Sequence, residues 1–267
     1  MPALRLLRST LPASRLTLAS HGAAAHLLQE SGEVDEGFSF DDASLTWLWG
    51  GGPPPPLPLP FAGAAHVVAW VADADRRLAR RLREAGAASV LVAPSRPPDL
   101  DRHCAAHLAE SLMPLTGPRR PLDCRPLRLR PERADELLVH PGSGAARKNW
   151  PAARFAAVVA ALAARGAPVR LVVGEADGDA AAALESALGR PLARLERQSL
   201  GQLAAALAGC RAYLGNDSGV SHLAGLVGAR TVALFGPTPP LVWRPLGPRV
   251  TALPFTASDQ QVVAALL

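Results

Sequence analysis

The segment between residues 214 and 225 constrains the fold more than any other part of the chain. It reads LGNDSGVSHLAG and follows a short apolar run at 211–214, which predicts a buried strand. The apolar residues after the turn recur at helical spacing. Asp217 or Ser218 is placed to cap this helix, because a short polar side chain accepts a hydrogen bond from the first free backbone N–H groups. The segment therefore predicts a strand, a tight turn and a helix.

The start of this helix predicts an anion site. Gly219 has no side chain, so a phosphate can approach the backbone N–H groups of residues 218–220 and the positive end of the helix dipole. His222 lies one turn into the helix and is placed to hydrogen-bond the same phosphate. A capped turn with a buried histidine explains these residues equally well, so the segment alone leaves both interpretations open.

The basic residues of the chain are unusual in kind. Lys148 is the only lysine among 28 basic residues, and the others are all arginine. A lone lysine in such a chain favours a specific role, since arginine serves elsewhere as the surface cation. The net charge of +5 is mild and suits an acidic substrate or an anionic membrane surface. The sequence has neither zinc-finger spacing nor basic stretches interleaved with aromatic residues, so it does not predict nucleic-acid binding.

Cysteine and histidine spacing predicts no metal site and no disulfide framework. The three cysteines, Cys104, Cys124 and Cys210, have no paired spacing, which fits a reducing cytosol. His103 and His107 stand at i and i+4, but no glutamate completes a metal-binding pattern. No apolar run approaches the roughly 20 residues of a membrane-spanning helix. We therefore expect a cytoplasmic protein without a resident metal or cofactor.

Apolar runs alternate with helical patterns, which predicts an α/β protein with parallel sheets. The 267 residues are 49% hydrophobic, enough for one large or two medium domains. Prolines within 116–131 stop any long helix or strand and mark a boundary. We expect an N-terminal domain at 1–131, a C-terminal domain at 132–255 and a final helix at 256–267 that returns toward the first domain. The proline-rich run 53–60 predicts an ordered surface loop, with a PxxP ligand for a partner domain as the alternative.

A second loop with phosphate-binding chemistry follows the strand predicted at 136–140. Residues 141–144 read PGSG, and Pro151 suits the first turn of a helix. Loops at the carboxyl ends of parallel strands are where α/β sheets bind ligands. Ser143 and Lys148 are therefore candidate ligand contacts, the lysine as a point charge on a phosphate. A solvated surface loop is the alternative.

Two further turns place polar groups beside the same sheet edge. The acidic turn at 174–179 follows a strand, and acidic groups at this position accept hydrogen bonds from ribose hydroxyls in other nucleotide-binding sheets. Glu175 is the candidate for that contact, while Asp177 and Asp179 are explained equally well as helix N-caps. Thr238 adds a hydroxyl in a Gly-Pro-Thr turn.

Three motifs in this order resemble glycosyltransferase family 9, the bacterial heptosyltransferase family: HPGSGxxxKxWP at 140–151, GNDSGVSHLAG at 215–225 and FGPTP at 235–239. The resemblance implies the GT-B fold, in which two Rossmann-like domains face each other across a cleft. It also implies an inverting, metal-independent transfer of a heptose or related sugar from a nucleotide donor, expected to be ADP-heptose. The implied acceptor is an anionic glycolipid of the lipopolysaccharide type, which suggests the cytoplasm or a peripheral position at the inner membrane.

The resemblance also assigns roles to residues of the C-terminal domain. Lys148 is expected to contact phosphate, residues 217–219 to cradle the pyrophosphate, and His222 to assist them. The full set of predicted donor-binding residues is Ser143, Lys148, Glu175, Asp217, Ser218, Gly219, His222 and Thr238.

The N-terminus departs from the family pattern. The family begins with a strand and a Gly-Asp loop whose aspartate is considered the catalytic base, whereas residues 1–5 resemble the start of the next helix. The base is therefore unassigned, and His21 and His26 are weak candidates for it. A missing central strand would expose the hydrogen-bonding groups of its neighbours. The alternatives to an active transferase are a non-catalytic nucleotide-sugar-binding protein, a truncated remnant, or a sugar-nucleotide epimerase of similar fold.

Overall fold

A computed structural model describes residues 1–50 and 61–267, apart from the side chain of Ser44. The run 53–60, for which the sequence predicts a surface loop, lies outside the described residues. The chain divides into two compact units, 1–123 and 124–267. The boundary lies within the proline-rich linker, but earlier than the predicted position at 131.

The first unit alternates helices with strands. Its elements are α1 (Pro2–Thr10), β1 (Thr17–Ser20), α2 (Gly22–Glu30), β2 (Glu36–Ser39), a 3₁₀ helix (Ala43–Leu48), β3 (His66–Trp70), α3 (Arg77–Glu84), β4 (Ser89–Ala93), α4 (Cys104–Ser111) and α5 (Met113–Thr116).

The strands of the first unit form two separate sheets. β1 pairs with β2, and β3 pairs with β4, both in parallel. Among the described residues each of these strands has a single partner, so one edge of β1 and one edge of β3 lack a neighbouring strand. The parallel pairing that the sequence predicts is present, but it does not extend into one continuous sheet.

Apolar clusters among the described residues stabilise the first unit. Leu7 of α1 packs with Leu112 at the end of α4, and residues of β3 pack on this cluster. Leu78 and Leu82 of α3 form the second cluster with Leu48 of the 3₁₀ helix. Helices therefore cover β3 from two sides, as expected for a strand in a layered α/β unit.

The second unit follows the same alternation. Its elements are β5 (Leu137–His140), a 3₁₀ turn (Ala146–Lys148), α6 (Ala152–Ala163), β6 (Val169–Val173), α7 (Gly178–Leu188), β7 (Ala193–Glu196), α8 (Leu200–Gly209), β8 (Ala212–Asn216), α9 (Gly219–Leu226), β9 (Thr231–Phe235), α10 (Pro240–Trp243), β10 (Val250–Pro254) and α11 (Asp259–Leu266).

These six strands form one parallel sheet in the order β10-β9-β8-β5-β6-β7. The central strands β5, β8 and β9 are buried along their whole length, which explains their near-continuous apolar sequences. The sheet therefore brings the ends of four neighbouring strands, β9, β8, β5 and β6, to one edge.

The final helix belongs to the second unit. α11 buries Val262, Val263 and Leu266 in the same core as Phe155 and Val159 of α6. The apolar face of the helix predicted at 256–267 is thus used within the second unit. The helix ends with the chain and contributes directly to the core beneath the sheet.

Candidate functional site

Four loops at one edge of the six-stranded sheet hold or adjoin all of the predicted donor-binding residues. They span 141–151, 174–177, 217–218 and 236–239, and they follow β5, β6, β8 and β9. Because these strands are parallel neighbours, their carboxyl ends lie along the edge where α/β sheets bind ligands.

The start of α9 has the geometry of an anion site. Ser218 is the N-cap, and its Oγ accepts a hydrogen bond from the Ser221 backbone N at 3.4 Å. The backbone N–H groups of Ser218, Gly219 and Val220 have no hydrogen-bond partner within the part of the chain that the structure describes. A side chain added at Gly219 would meet no atom within 4 Å, so open space lies in front of these donors.

Asp217 is the centre of a cluster of polar side chains beside this helix start. Its Oδ2 atom accepts hydrogen bonds from Lys148 Nζ and from Thr238 Oγ1, each at 2.8 Å. Nε2 of His222 lies 3.8 Å from Asp217 Oδ1, longer than a hydrogen bond. Lys148, Thr238 and His222, which come from three different elements, thus lie around Asp217.

The Asp217 carboxylate is held in its ionised form. Burial raises its pKa, since only 7% of the side chain is exposed, but the interactions with His222, Lys148 and Thr238 outweigh burial and hold the pKa well below its usual range. Asp217 is therefore a buried negative charge surrounded by hydrogen-bond donors, and it lies next to the start of α9.

Asn216 fixes the loop between β5 and α6, a role that its neighbours in the sequence do not predict. Its Nδ2 donates to the Pro141 carbonyl at 2.8 Å, and its Oδ1 accepts from the Trp150 backbone N at 2.9 Å. Within the loop, Ser143 Oγ donates to Asn149 Oδ1 at 2.6 Å. Ser143 thus shapes the loop that holds Lys148, and a direct donor contact by Ser143 stays a prediction.

A buried chain of hydrogen bonds links three of the loops. Nε2 of His140 lies 2.9 Å from Asp177 Oδ2, and Nδ1 lies 3.3 Å from Ser218 Oγ. A carboxylate only accepts, so Nε2 donates to Asp177 and Nδ1 is left to accept from the Ser218 hydroxyl. His140, at the end of β5, therefore ties the turn after β6 to the N-cap of α9.

Asp177 is committed to this chain. It stands at the N-cap position of α7 but makes no side-chain capping bond there, and it accepts instead from His140 and from the Gly174 backbone N at 2.9 Å. The hydrogen bond from His140 lowers the pKa of Asp177 against the opposing effect of burial. A β-carbon at Gly142 would lie 1.8 Å from Asp177 Oδ1, so the PGSG loop approaches this closely only because it has glycine there.

The remaining candidates lie apart from the cluster. Glu175 is exposed in the turn after β6, whereas Asp177 of the same turn is buried. His21 is the N-cap of α2 and His26 pairs with Glu30 on the exposed face of α2. Neither of these positions marks the histidine as a catalytic base.

Two further features of the structure concern metal ions and membranes. In residues 1–50 and 61–267, no group of three or more His, Cys, Asp or Glu side chains is arranged to hold a metal ion. His103 caps α4 and His107 contacts the Pro94 carbonyl, so each has a local structural partner. None of the described helices is long and apolar enough to span a membrane.

The sequence matches the profile of Glycosyltransferase family 9 (heptosyltransferase) over residues 126–263. This range is slightly more than half of the 267 residues and contains every predicted donor-binding residue.

Two curated relatives are similar to part of the chain. Lipopolysaccharide heptosyltransferase 1 of Pseudomonas aeruginosa is 41% identical over 98 residues, which is 35% of this chain and 26% of that protein. Lipopolysaccharide heptosyltransferase 3 of Escherichia coli is 33% identical over 113 residues, which is 41% of this chain and 33% of that protein. The matched segments therefore span about a third or less of these relatives' lengths.

Solved structures are similar over nearly the whole chain. The glycosyl transferase family 9 protein from Veillonella parvula matches with a TM-score of 0.73 at 19% identity, covering 99% of this chain and 90% of that one. ADP-heptose lipopolysaccharide heptosyltransferase II of E. coli matches with a TM-score of 0.74 at 17% identity, covering 99% and 92%. E. coli heptosyltransferase WaaC with ADP gives 0.71 at 16%, covering 98% and 92%. These likenesses show that the chain has the GT-B fold.

Proposed function

The chain belongs to glycosyltransferase family 9, the heptosyltransferase family, and on that premise we propose that it transfers a heptose or related sugar from a nucleotide donor to a lipopolysaccharide-type acceptor. The relatives named lipopolysaccharide heptosyltransferases 1 and 3 support this acceptor class. The structure of E. coli WaaC solved with ADP supports ADP-heptose as the expected donor.

The main support for the proposal is the set of donors around the start of α9. A diphosphate needs several hydrogen-bond donors, and bonds to its charged oxygens are the strong ones. Lys148 and Thr238 lie within one hydrogen bond of the same Asp217 oxygen, and the N–H groups of residues 218–220 face open space beside them. We assign the diphosphate to these groups.

In the proposed reaction an acceptor hydroxyl passes its proton to a general base and attacks the anomeric carbon from the side opposite the diphosphate. The bond from that carbon to the diphosphate breaks, and the configuration inverts in a single displacement. Negative charge then develops on the departing diphosphate. Lys148, His222 and the N–H groups at the start of α9 are placed to stabilise that charge, because they are fixed before the reaction begins. We propose that these groups do so without a divalent cation.

Asp217 has a different role from the backbone beside it. Its ionised carboxylate only accepts hydrogen bonds, so it repels phosphate oxygens and suits sugar hydroxyls. We therefore assign the diphosphate to the N–H groups of residues 218–220, and we assign to Asp217 the positioning of Lys148 and Thr238 and a contact with the sugar. Glu175, exposed on the neighbouring turn, stays the candidate for the ribose hydroxyls.

The acceptor and location are proposed from charge and family together. A net charge of +5 suits an anionic glycolipid and a peripheral position at the cytoplasmic face of the inner membrane. Vesicle sedimentation with anionic and neutral lipids tests the membrane association.

A second candidate function is nucleotide-sugar binding without transfer. The observation that favours it comes from the first unit, the acceptor side of the proposed enzyme. Its described strands form two separate sheets, in contrast to the single sheet of the second unit. The two candidates share the donor site and differ only in turnover.

Calorimetry and a turnover assay test both. Titration of the full chain with ADP in EDTA is expected to show binding, and absence of binding would overturn the donor assignment. Release of ADP from ADP-heptose in the presence of a lipopolysaccharide-type acceptor is expected for the transferase. Binding without acceptor-dependent release would favour the second candidate.

A further inference from the structure

His140 is a buried histidine that none of the contacts assigned to the nucleotide donor uses. It ends β5, only 3% of its side chain is exposed, and its two ring nitrogens face Asp177 and Ser218. A buried ionisable group with a charged partner beside a ligand site is a candidate for a functional role. The positions of the hydrogens in this chain of bonds indicate which role it is.

The neutral form of His140 turns the Ser218 hydroxyl inward. Nε2 of His140 donates to the Asp177 carboxylate at 2.9 Å, so Nδ1 carries no hydrogen and accepts from the Ser218 hydroxyl at 3.3 Å. The Ser218 oxygen also accepts from the Ser221 backbone N–H. The single hydrogen of this hydroxyl is therefore used within the protein. A phosphate oxygen is itself an acceptor, so this arrangement gives it no hydrogen bond from the Ser218 side chain.

The neighbouring hydroxyls do not supply that hydrogen. Ser221 Oγ lies 3.4 Å from Ser218 Oγ, but its own hydrogen goes to the Asn216 carbonyl. The Tyr213 hydroxyl lies 3.0 Å from Ser221 Oγ and donates to it. Burial raises the pKa of Tyr213, so this hydroxyl stays protonated and uncharged at neutral pH. A hydrogen for the ligand side of Ser218 therefore requires that the bond to His140 be reversed.

We propose that His140 gains a proton at Nδ1 when a diphosphate binds at the start of α9, and that it thereby turns the Ser218 hydroxyl toward the diphosphate. This inference rests on the proposed function, which assigns the diphosphate to the N–H groups of residues 218–220. The new Nδ1–H donates to the Ser218 oxygen, and the freed hydroxyl hydrogen donates to a phosphate oxygen. The proton is taken up from solvent. His140 is thus a positioning residue that acts through Ser218.

Two negative charges favour the added proton on His140. Asp177 is ionised at neutral pH, because the hydrogen bond from His140 lowers its pKa, and a carboxylate at 2.9 Å stabilises an imidazolium. Burial opposes a charged ring, so the bound diphosphate supplies the second negative charge that offsets burial. Lys148 and Asp217, the charged pair beside the start of α9, form an ion pair whose charges largely cancel.

His222 is the competing site for a proton, because it is the other histidine beside the proposed diphosphate. Its side chain is nearly half exposed and its Nε2 lies 3.8 Å from Asp217 Oδ1. Protonation of His222 would add a charge near the diphosphate without reversing any bond of Ser218. Each histidine is therefore replaced in turn in the test.

Calorimetry in buffers of different ionisation enthalpy counts the protons that are taken up per ADP bound. The full chain is titrated with ADP in EDTA at pH 7, beside His140→Gln and the matched control His222→Gln. The side-chain amide of His140→Gln still donates to Asp177, but it does not take up a proton. Protons exchanged by ADP itself are common to the three proteins and cancel in the differences between them.

We expect the parent to take up about half a proton more per ADP than His140→Gln, since histidine titrates near neutral pH and a new charge beside it shifts that titration. The ratio of their ADP affinities, parent over His140→Gln, should fall as the pH rises from 6 to 8, because proton uptake and binding are linked. A purely structural tie would lower stability but leave the proton counts equal, and equal counts would overturn the inference. A loss of uptake in His222→Gln alone would also overturn it.

Two further measurements keep the test independent of how well His140→Gln folds. In Asp177→Asn the amide oxygen still accepts from His140 Nε2 and from the Gly174 backbone N but carries no charge, so proton uptake should fall. In the parent labelled with ¹⁵N-histidine, the Nδ1 signal of His140 should change from an unprotonated to a protonated nitrogen when ADP is added.

Either of two results would overturn the inference while the proposed function stands: unchanged uptake in Asp177→Asn, or an Nδ1 signal of His140 that stays unprotonated with ADP bound. Absence of ADP binding by the parent would overturn the donor assignment, and this inference with it.

Discussion

Replacing Lys148 is the best test of whether the loop at 141–151 binds a ligand or is only a surface loop. We expect Lys148→Ala to weaken ADP binding by about 1.5–3 kcal/mol, the usual loss for a charge-assisted contact. The variant also leaves the buried Asp217 carboxylate without the ammonium group that lies 2.8 Å from it, so the melting temperature of the variant should fall while the fold is retained. Calorimetry with ADP and circular dichroism measure the two effects.

Arg147→Ala is the matched control for this prediction. It removes the same unit of charge from the adjacent residue, whose side chain is exposed. We expect its ADP affinity to equal that of the parent. If the two variants bind ADP equally well, net charge rather than a contact by Lys148 explains the affinity.

Asp217 predicts a pH dependence of stability. Its pKa in the folded protein lies below the unfolded value of about 3.9, so its ionised form stabilises the fold above that pH and the contribution is lost as pH falls. We expect Asp217→Asn to be clearly less stable than the parent at pH 6. The difference in unfolding free energy between them should begin to shrink as the pH falls below about 4. Urea unfolding between pH 6 and 3 measures this, with the exposed Asp135→Asn as control. A difference that stayed constant with pH would contradict the assignment.

Gly142 and Gly144 provide a steric test of the contact between the PGSG loop and Asp177. A β-carbon at Gly142 would lie 1.8 Å from Asp177 Oδ1, whereas one at Gly144 would meet nothing within 4 Å. We expect Gly142→Ala to cost about 1–3 kcal/mol of unfolding free energy, as overpacking does. Gly144→Ala should stay within about 0.5 kcal/mol of the parent. Similar losses in both variants would show that the loop, not this contact, is sensitive.

The residues whose role follows from their own neighbours in the sequence are those with a local role. Ser218 is an N-cap because of its own neighbours, and the free N–H groups follow from the turn it begins. His140 and Asp177 are 37 residues apart, and Asn216 reaches Pro141 across 75 residues. These pairs meet because β6, β5 and β8 are neighbours in the sheet, an order that spacing along the chain does not reveal.

At the scale of single elements, replacing two N-cap serines distinguishes an effect on helix stability from an effect on ligand binding. Ser218 caps α9 and Ser258 caps α11, and each Oγ accepts a backbone hydrogen bond. We expect Ser218→Ala and Ser258→Ala each to cost about 1 kcal/mol of stability. Only Ser218→Ala should also weaken ADP binding, because α9 supplies the N–H groups of the proposed diphosphate site. Equal ADP affinities in the two variants would place the diphosphate elsewhere.

Elements with a strong apolar pattern were predictable, and exposed or interrupted ones were not. β5 and β8 lie where the sequence predicts buried strands, at 136–140 and 211–214. β7 has the sequence ARLE and is largely exposed at the end of the sheet, so it lacks the apolar run that identifies a strand.

At the scale of the whole molecule, the two units differ in how completely their sheets are built. The second unit has a continuous six-stranded sheet, while the described residues of the first form two pairs of strands with a cavity of about 400 Å³ beside them. The sequence predicts parallel α/β units on both sides of the linker but does not show where a sheet is interrupted, because each strand is identified from its own residues. Each unit has its own apolar clusters, so each is expected to unfold cooperatively by itself.

We expect the first unit to unfold before the second, because the cavity of about 400 Å³ beside its strands removes packing contacts, and each of its described strands has one unpaired edge. Two matched variants test this: Leu78 of α3 is 3% exposed in the first unit, and Leu184 of α7 is fully buried in the second. Replacing either by alanine should cost about 2–5 kcal/mol, confined to its own unit, since distant sites act independently. In calorimetry Leu78→Ala should lower only the first transition and Leu184→Ala only the second, with hydrogen exchange identifying the unit that opens in each. A single transition that both variants lower equally would show that the units fold as one, and that the cavity does not make the first unit the less stable of the two.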